Sequence, residues 1–204
     1  MADPPAGART SPSTARNREP ILAVLRPRLP PAARVLEIAS GAGEHAVFLA
    51  AALPGVRWTP SDPSPEARAS ITAWRAASGL ANLEAPLALD AADAATWPGE
   101  PVDAIVCINM VHISPWAATE GLVAGAGRLL PSGGQLILYG PYLEADVPTA
   151  PSNLAFDESL KSRDPAWGLR RREDVEALAA VHGLNMDERI AMPANNLFLV
   201  FAKA

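Results

Sequence analysis

The sequence predicts an α/β fold in which helices cover both faces of a mostly parallel sheet. Strand-like and helix-like segments alternate from Arg34 to Tyr139, and a βαβ series of this kind lays its strands side by side in parallel. Two further strands, Met186–Met192 and Leu197–Ala202, flank the short connection Pro193–Asn196 and predict a terminal antiparallel hairpin. With 49% apolar residues among 204, the chain can bury the core of one such domain.

Short apolar runs bounded by polar or turn-forming residues predict the strands that precede the hairpin. The strands are predicted at Arg34–Ile38, Val56–Ser61, a third run ending at Leu87–Leu89, Val102–Ile108 and Gly134–Tyr139.

Start and stop signals predict the helices. Ser64 is a typical N-cap residue, Pro65 and Glu66 suit a first helical turn, and Gly79 ends the helix that they begin. The helices are predicted at Glu44–Leu53, Pro65–Ser78, Ser114–Leu130, which Pro131 ends, and Arg172–His182, which Gly183 caps.

Two segments fall outside this alternation. Residues 1–13 are rich in Pro, Ala, Gly and Ser, and they predict a disordered leader before a single domain at 14–204. Residues 141–168 lack a clear strand, and a gap of that length predicts a lid or substrate insert.

Composition limits the classes of partner. The net charge of −5, with 17 basic and 22 acidic residues, argues against a broad nucleic-acid surface. No apolar run approaches the ~20 residues that span a bilayer, and the single Cys107 fits a reducing compartment. We therefore expect a cytoplasmic protein with a small-molecule substrate, no nucleic-acid or membrane partner and no metal site. A homodimer is the assembly to test.

The most informative segment is Val35–Gly43, which predicts a buried strand followed by a glycine-containing turn that opens a helix. Backbone N–H groups at a helix N-terminus can hold an anionic or polar cofactor. Glu37 lies within the apolar strand, where an ionised carboxylate is costly unless it is paired. A cationic ligand would pair with it; a salt bridge to an arginine at the core edge is the alternative.

Acidic residues follow two more strands. Asp62 comes 21 residues after Gly41, close to the ~20-residue offset of a ribose-binding acid, although Asp is also common in turns. Asp90 either accepts from an adenine amino group or caps the next turn.

Two cofactors fit this pattern. Gly41–Ala46 matches the G-x-G-x-x-A dinucleotide pattern, but Glu44 at the helix start would repel a pyrophosphate. S-adenosylmethionine has no phosphate, and it carries a sulfonium and an ammonium. Glu37, Asp62 and Asp90 together favour this sulfonium cofactor.

Val35–Gly43 also resembles motif I of the class I S-adenosylmethionine-dependent methyltransferases, and Asp62 resembles their ribose-binding acid. This resemblance implies a Rossmann-like sheet of seven strands in the order 3-2-1-4-5-7-6, with an antiparallel last strand. The first glycine of the usual E/D-x-G-x-G-x-G is Ala39 here, a mild change if the φ angle of Ala39 is negative.

A closer resemblance, to the methyltransferase-like 26 group, covers nearly the whole chain. That group is defined by sequence and has no established substrate. The matching segments are Arg16–Leu22, Leu36–His45, Pro60–Pro63, Asn109–Trp116, Gly140–Tyr142 and Met192–Asn196.

Further site residues follow from position in the predicted fold. His112 is the candidate general base, because an imidazole suits proton removal near neutral pH; a hydrogen bond to the next helix start is the alternative. Asn109–His112 differs from the Asn/Asp-Pro-Pro-aromatic element, which argues against methylation of a nucleobase amine. The predicted cofactor-binding residues are Glu37, Ala39, Ser40, Gly41, Gly43, His45, Asp62, Asp90, Ala91, Asn109, Arg16 and Asn17, and the predicted substrate residues are Tyr142, Asn153, Phe156, Lys161, Trp167 and Asn195.

These features predict an S-adenosylmethionine-dependent methyltransferase that acts on a small-molecule oxygen or nitrogen acceptor by direct displacement. A nicotinamide-dependent oxidoreductase is an alternative, disfavoured because the chain has no Ser/Tyr/Lys catalytic arrangement. A non-catalytic S-adenosylmethionine-binding partner protein is another.

Overall fold

Six strands form one sheet in the computed structural model, which describes residues 4–204. The strands are β1 Arg34–Ile38, β2 Arg57–Pro60, β3 Ala104–Ile108, β4 Gln135–Gly140, β5 Leu184–Met192 and β6 Asn196–Lys203. Their order in the sheet is β2-β1-β3-β4-β6-β5. Strands β2, β1, β3 and β4 are parallel, and β6 runs antiparallel to both β4 and β5.

Helices pack on both faces of the sheet, as predicted. On one face, Leu36 and Leu138 lie in a cluster with α4 and α6. On the other face, Val35 and Ile137 lie in a cluster with α1 and α2. The helices are α1 Pro12–Leu25, α2 Glu44–Ala52, α3 Pro65–Ser78, α4 Trp116–Leu129, α5 Pro151–Arg163 and α6 Arg172–Val181. Short 3-10 turns form at Ala94–Thr96, Met110–His112 and Pro193–Asn195.

The prediction of seven strands was wrong, because the segment ending at Leu87–Leu89 does not form a strand. It meets β2 only in isolated bridges, Trp58 with Leu83 and Ser61 with Leu87. Pro60 and Pro86 lie on the two sides of this interface, and neither has an N–H to continue a ladder. Without this strand, the order of the remaining strands and the antiparallel last strand are as predicted.

The N-terminal segment contributes a helix that the sequence did not reveal. Residues 1–3 of the predicted leader lie outside the described residues, whereas Pro12 already begins α1. The backbone N–H of Arg9 donates to the Ser70 hydroxyl over 2.8 Å, and its carbonyl accepts from Trp74 Nε1 over 3.0 Å. Residues just before α1 are therefore held against α3.

The predicted insert at 141–168 contains α5, which buries only Asn153 and Leu160 among its 13 residues. No helix in residues 4–204 is both long and apolar enough to cross a bilayer.

Candidate functional site

A cavity of about 270 Å³ opens at the carboxyl ends of β1 and β3. It therefore lies where ligands bind in open α/β sheets. Three groups of residues line it: the start of α1, the strand-turn-helix segment around the glycines, and the segment after β3. The lining residues are Ser11, Ser13, Thr14, Glu37, Ala39, Ser40, Gly41, Ala42, Gly43, Glu44, His45, Ile108, Asn109, Met110 and Ile113.

The lining of this first cavity is acidic. Glu37 and Glu44 contribute carboxylates, and no Lys or Arg side chain is among the lining residues. His45 does not supply a positive charge, because burial and the nearby Arg18 lower its pKa to about 4. The first cavity is thus suited to a ligand that carries positive charge.

Glu37 is the most deeply placed of these acids, with only 1% of its surface exposed. Trp58 Nε1 donates to its Oε2 over 2.9 Å. Its polar partners are this indole and the Ser40 hydroxyl, rather than the arginine considered as the alternative. Burial raises the pKa of Glu37 to about 7, so a cation bound beside it would favour the ionised form.

The turn after β1 is built from left-handed residues. Ala39, Gly41 and Gly43 have φ angles of 55°, 58° and 90°. Ala39 would be a mild replacement of glycine only with a negative φ, and this condition is not met; the left-handed region costs an L-residue about 1–2 kcal/mol. At Gly43 any Cβ would also come within 3.0 Å of Ile71, so that position requires glycine.

Asp62 stabilises this turn and does not line the first cavity. Its Oδ2 accepts from the Gly41 N–H over 2.9 Å, and its Oδ1 accepts from the Ser64 N–H over 2.9 Å. Both oxygens therefore bond backbone, which agrees with the alternative interpretation of Asp62 as a turn residue.

Other predicted cofactor residues differ in placement. Asp90 lies outside the first cavity and its Oδ1 accepts from the Ala92 N–H over 3.0 Å, which is the capping alternative. Ala91 is buried beside α4. Arg16 is exposed on α1, whereas Asn17 Oδ1 lies 2.8 Å from His45 Nε2 and holds that ring beside the first cavity.

His112 is fully buried and lines neither this cavity nor the second one described below. Neither of its ring nitrogens has a hydrogen-bond partner in the protein. Its ring meets that of Tyr142 edge to face, with centroids 5.4 Å apart. Burial, with a smaller effect of Arg170, lowers its pKa to about 3. Gly140 makes room for the ring, since a Cβ there would overlap His112 Nε2.

A second cavity, of about 180 Å³, lies at the same edge of the sheet between the insert and the terminal hairpin. Three of the predicted substrate residues line it: Tyr142, Asn153 and Asn195. The full lining is Tyr142, Glu144, Val147, Pro148, Thr149, Ala150, Asn153, Arg189, Ala191, Met192, Asn195, Asn196 and Leu197.

The other three predicted substrate residues lie outside the second cavity. Lys161 Nζ is 2.5 Å from Asp157 Oδ2 on an exposed face of α5. The ring of Trp167 stacks under the guanidinium of Arg163, 5.4 Å from its centroid. Phe156 is 36% exposed. Phe156 and Lys161 are exposed to solvent on α5, and Trp167 lies beyond the end of that helix.

The sequence interpretation assigned the N-terminal contribution to Arg16 and Asn17 and missed the residues that line the first cavity. Ser11, Ser13 and Thr14 line it, and the Ser11 N–H donates to the Glu44 carboxylate. The Ser11-Pro12 pair repeats the helix-start pattern of Ser64-Pro65 and was the available signal.

Two kinds of comparison place the chain among known proteins. Residues 8–203 match the model of a family described as a protein of unknown function, DUF938. Solved methyltransferases have the same fold. One is an O-methyltransferase family protein from Burkholderia thailandensis, with a TM-score of 0.81 and 16% identity over 94% of this chain and 57% of that chain.

Two further structures were solved with a small molecule. The O-methyltransferase family 2 protein from Planctomyces limnophilus, in complex with apigenin, has a TM-score of 0.78 and 23% identity over 94% of this chain and 60% of that one. CalO1, a methyltransferase in calicheamicin biosynthesis in its S-adenosylhomocysteine-bound form, has a TM-score of 0.76 and 16% identity over 94% and 55%. The chain thus spans just over half of their length and has their Rossmann-like fold.

Proposed function

The chain belongs to the DUF938 family of proteins of unknown function, and we propose that it is an S-adenosylmethionine-dependent methyltransferase. The first cavity would hold the cofactor, and a small molecule would accept the methyl group at oxygen or nitrogen by direct displacement. We also propose that the chain is related to the methyltransferase-like 26 group and that it is cytoplasmic.

The charge of the first cavity is the observation that carries this proposal. Its lining includes two carboxylates and no cationic side chain. S-adenosylmethionine brings a sulfonium and an ammonium, which match these acids. A nicotinamide dinucleotide would instead bring a pyrophosphate close to Glu44 at the start of α2, where the carboxylate would repel it. The sulfonium cofactor therefore fits better than the alternative.

The solved structures support the same choice. The fold of this chain carries S-adenosylhomocysteine in CalO1, and the neighbour from Planctomyces limnophilus, an O-methyltransferase family protein, was solved with apigenin. We extend cofactor binding and small-molecule methylation from those proteins to this one.

When bound, S-adenosylmethionine supplies a methyl carbon that its sulfonium activates toward displacement. In this chain Glu37 and Glu44 would attract the cationic cofactor, and the turn from Ala39 to Gly43 would cradle it. Asp62 fixes that turn through Gly41, which would make it a positioning residue. Pre-set geometry of this kind is the larger requirement for methyl transfer, because the reacting atoms must lie about 3–3.5 Å apart.

His112 remains the proposed proton acceptor, with a narrower role than the sequence suggested. Its ring nitrogens are enclosed and line neither cavity, so a substrate hydroxyl would reach them only after the Met110–His112 turn moves. A pKa of about 3 keeps the imidazole neutral at physiological pH but makes it a weak base. Such a base can take a proton from a hydroxyl oxygen as that oxygen becomes methylated and acidic. It is poorly suited to deprotonating an ammonium, whose ordinary pKa is about 10.

Calorimetric titration with S-adenosylmethionine tests the proposal. We expect the wild-type chain to bind one equivalent and Glu37→Gln to lose at least tenfold in affinity, because the buried carboxylate is gone. Glu158→Gln makes the same change at an exposed site on α5 and should leave the affinity unchanged. Asp62→Ala should weaken binding while circular dichroism shows an intact fold. Equal affinity in all four proteins would contradict the site assignment.

Two further measurements separate the alternatives. Fluorescence titration with reduced nicotinamide cofactor should show no binding; saturable binding would favour the oxidoreductase. A labelled-methyl assay across a broad metabolite panel should yield S-adenosylhomocysteine together with a methylated product. Cofactor binding without turnover on the whole panel would favour the non-catalytic partner protein.

A further inference from the structure

A short turn separates the first cavity from the second. Met110 lines the first cavity, and His112, two residues later, contacts Tyr142 of the second. Direct methyl transfer requires cofactor and acceptor atoms about 3–3.5 Å apart, so both ligands must share one space. Neither cavity, at about 270 and 180 Å³, reaches the lower end of the ~300–1,000 Å³ of sites for drug-sized ligands. The wall between them is the turn Met110–His112, so a shared space requires that this turn move.

The closed position of this turn leaves polar atoms without partners. Neither ring nitrogen of His112 nor the hydroxyl of Tyr142 has a hydrogen-bond partner among residues 4–204. The two rings are nonetheless in contact, with centroids 5.4 Å apart. Buried polar groups are normally paired, and each unpaired one destabilises the state that buries it. An open position that hydrates these three atoms would remove that penalty.

Hydrogen bonds to the end of the insert hold the turn in place. Arg170 Nε donates to the Val111 carbonyl over 3.3 Å, and its Nη2 donates to the Ser114 carbonyl over 2.8 Å. The Gly168 N–H donates to the His112 carbonyl over 3.0 Å. One guanidinium therefore bonds the backbone on both sides of His112, and the planar fork of arginine suits such a two-point contact.

Arg170 is itself anchored outside the turn. Its Nη2 also donates to the Ala166 carbonyl over 2.7 Å, and its guanidinium lies over the ring of Trp116, 5.9 Å from the centroid. The neighbouring Leu169 N–H donates to Asp157 Oδ1 over 2.8 Å. The guanidinium is thus fixed to the start of α4, and its segment is fixed to α5, so it can hold the turn against both helices.

The turn is short, and its packing favours the closed position. Met110–His112 is a three-residue 3-10 turn, entered through Asn109 with a left-handed φ of 65°. Met110 and Val111 pack in the cluster that contains residues of α4, which makes the closed position the major one. Opening needs only this one turn to leave its place, and proteins make such local excursions without global unfolding.

We propose that the turn Met110–His112 is a gate between the two cavities, and that Arg170 is the positioning residue that latches it shut. When the gate opens, the cavities join and the His112 imidazole becomes accessible to a methyl acceptor. This inference rests on the proposed methyltransferase function, in which His112 takes the proton of the acceptor. The gate gives this enclosed base a route to its substrate.

Histidine labelling with diethyl pyrocarbonate tests the gate, because the reagent must reach a ring nitrogen. The full chain is labelled near pH 6.5 without cofactor, and mass spectrometry of its peptides reports each histidine separately. In the wild type, the rate at His112 should change less than about twofold between 0 and 1 M urea, since a local opening exposes little surface. A rate that rises at least about fivefold per molar urea would indicate global unfolding. That result, or no labelling of His112, would overturn the gate.

Two adjacent arginines test the latch. Arg170→Gln should raise the labelling rate of His112 at least fivefold relative to that of His182, because it removes the bonds to the turn. Arg171→Gln makes the same change at an exposed side chain that lies 4.0 Å from Glu173, and it should leave the ratio of rates unchanged. The same ratio in both variants would overturn the latch.

His45 distinguishes an opened gate from a loosened fold. Its ring is buried beside the first cavity, where Asn17 holds it. Arg170→Gln should accelerate labelling of His112 and not of His45. Equal acceleration of both would show that the variant only destabilises the fold, and this would overturn the role of Arg170 as a latch. If Arg170→Gln does not fold, the urea dependence of labelling in the wild type remains the test.

Failure of the gate is distinguishable from failure of the proposed function. Labelling is measured without cofactor, and calorimetry on unlabelled samples reports S-adenosylmethionine binding separately. Binding of S-adenosylmethionine together with labelling only through global unfolding would overturn the gate alone. Local labelling of His112 without S-adenosylmethionine binding would overturn the proposed function and leave the motion of the turn standing.

Discussion

Three buried titratable residues around the site make folding stability depend on pH in opposite directions. His45 and His112 have pKa values lowered by burial from 6.5 to about 4 and about 3. Between pH 4.5 and 6.5 they are protonated in the unfolded chain but not in the folded one. Their contribution is fully present above pH 6.5 and is lost as the pH falls. Glu37, with a pKa raised by burial from 4.5 to about 7, contributes stability below pH 4.5 that is lost as the pH rises.

We therefore predict the slope of unfolding free energy against pH near 5.5. Near pH 5.5 the unfolded chain binds about two more protons at these histidines than the folded chain, and about one fewer at Glu37. The unfolded chain thus binds about one proton more in total, so these groups make stability rise by about 1.4 kcal/mol per pH unit. Glu37→Gln should roughly double that slope, and Glu158→Gln should not. Urea titrations at pH 5, 5.5 and 6 measure it; the same slope in both variants would show that Glu37 is not protonated in the fold.

Ala39 stores backbone strain in the turn that faces the proposed cofactor. Its φ of 55° costs an alanine about 1–2 kcal/mol. A glycine would avoid this cost, but it would also raise the conformational entropy of the unfolded chain, which offsets part of the gain. Ala39→Gly should thus stabilise the protein by about 0.5–1 kcal/mol. The matched change Ala51→Gly, on the exposed side of α2, should destabilise by about 1 kcal/mol. Urea midpoints that shift in the same direction would contradict the strain at Ala39.

At the scale of elements, α4 depends on close approach to the segment after Leu89. A Cβ at Gly121 would overlap the backbone carbonyl of Ala91. Gly121→Ala should lower stability by about 1–3 kcal/mol, although alanine favours an exposed helix by about 1 kcal/mol. Gly99, whose Cβ would meet nothing within 4 Å, is the control and should tolerate alanine within about 0.5 kcal/mol. Thermal melts compare the two; a neutral Gly121→Ala would show that α4 can move away from Ala91.

Elements with strong local signals could be predicted, and those set by tertiary contacts could not. The α3 helix begins after Ser64 and ends before Gly79 as expected, because capping is a local property. The prediction of a third strand failed because Pro60 and Pro86, on the two neighbouring segments, interrupt the hydrogen-bond ladder between them. The α1 helix was missed because its first residues share the leader-like composition, and its buried residues pack against α2 and the sheet, a tertiary contact.

At the scale of the molecule, the order of strands brings Glu37, Asn109 and the glycine turn to one cavity, as the strand-end rule predicted. The direction of each side chain did not follow from that rule. Asp62 lies at the right strand end, yet both of its oxygens bond backbone N–H groups. Likewise, Phe156 and Lys161 share α5 with Asn153, yet Phe156 is 36% exposed, Lys161 pairs with Asp157, and neither lines the second cavity. The sequence predicts where a residue lies along a strand or helix, whereas the rotamer and direction of its side chain depend on packing.

The proposed function requires that the first cavity hold S-adenosylmethionine. Backbone amide spectra of the labelled full chain, recorded during titration with S-adenosylmethionine and separately with reduced nicotinamide dinucleotide, test it at the residues concerned. We expect S-adenosylmethionine to shift the amides of Gly41, Gly43 and Asn109, which line the first cavity, and the dinucleotide to leave them in place. Unmoved amides with S-adenosylmethionine, or equal shifts with the dinucleotide, would contradict it.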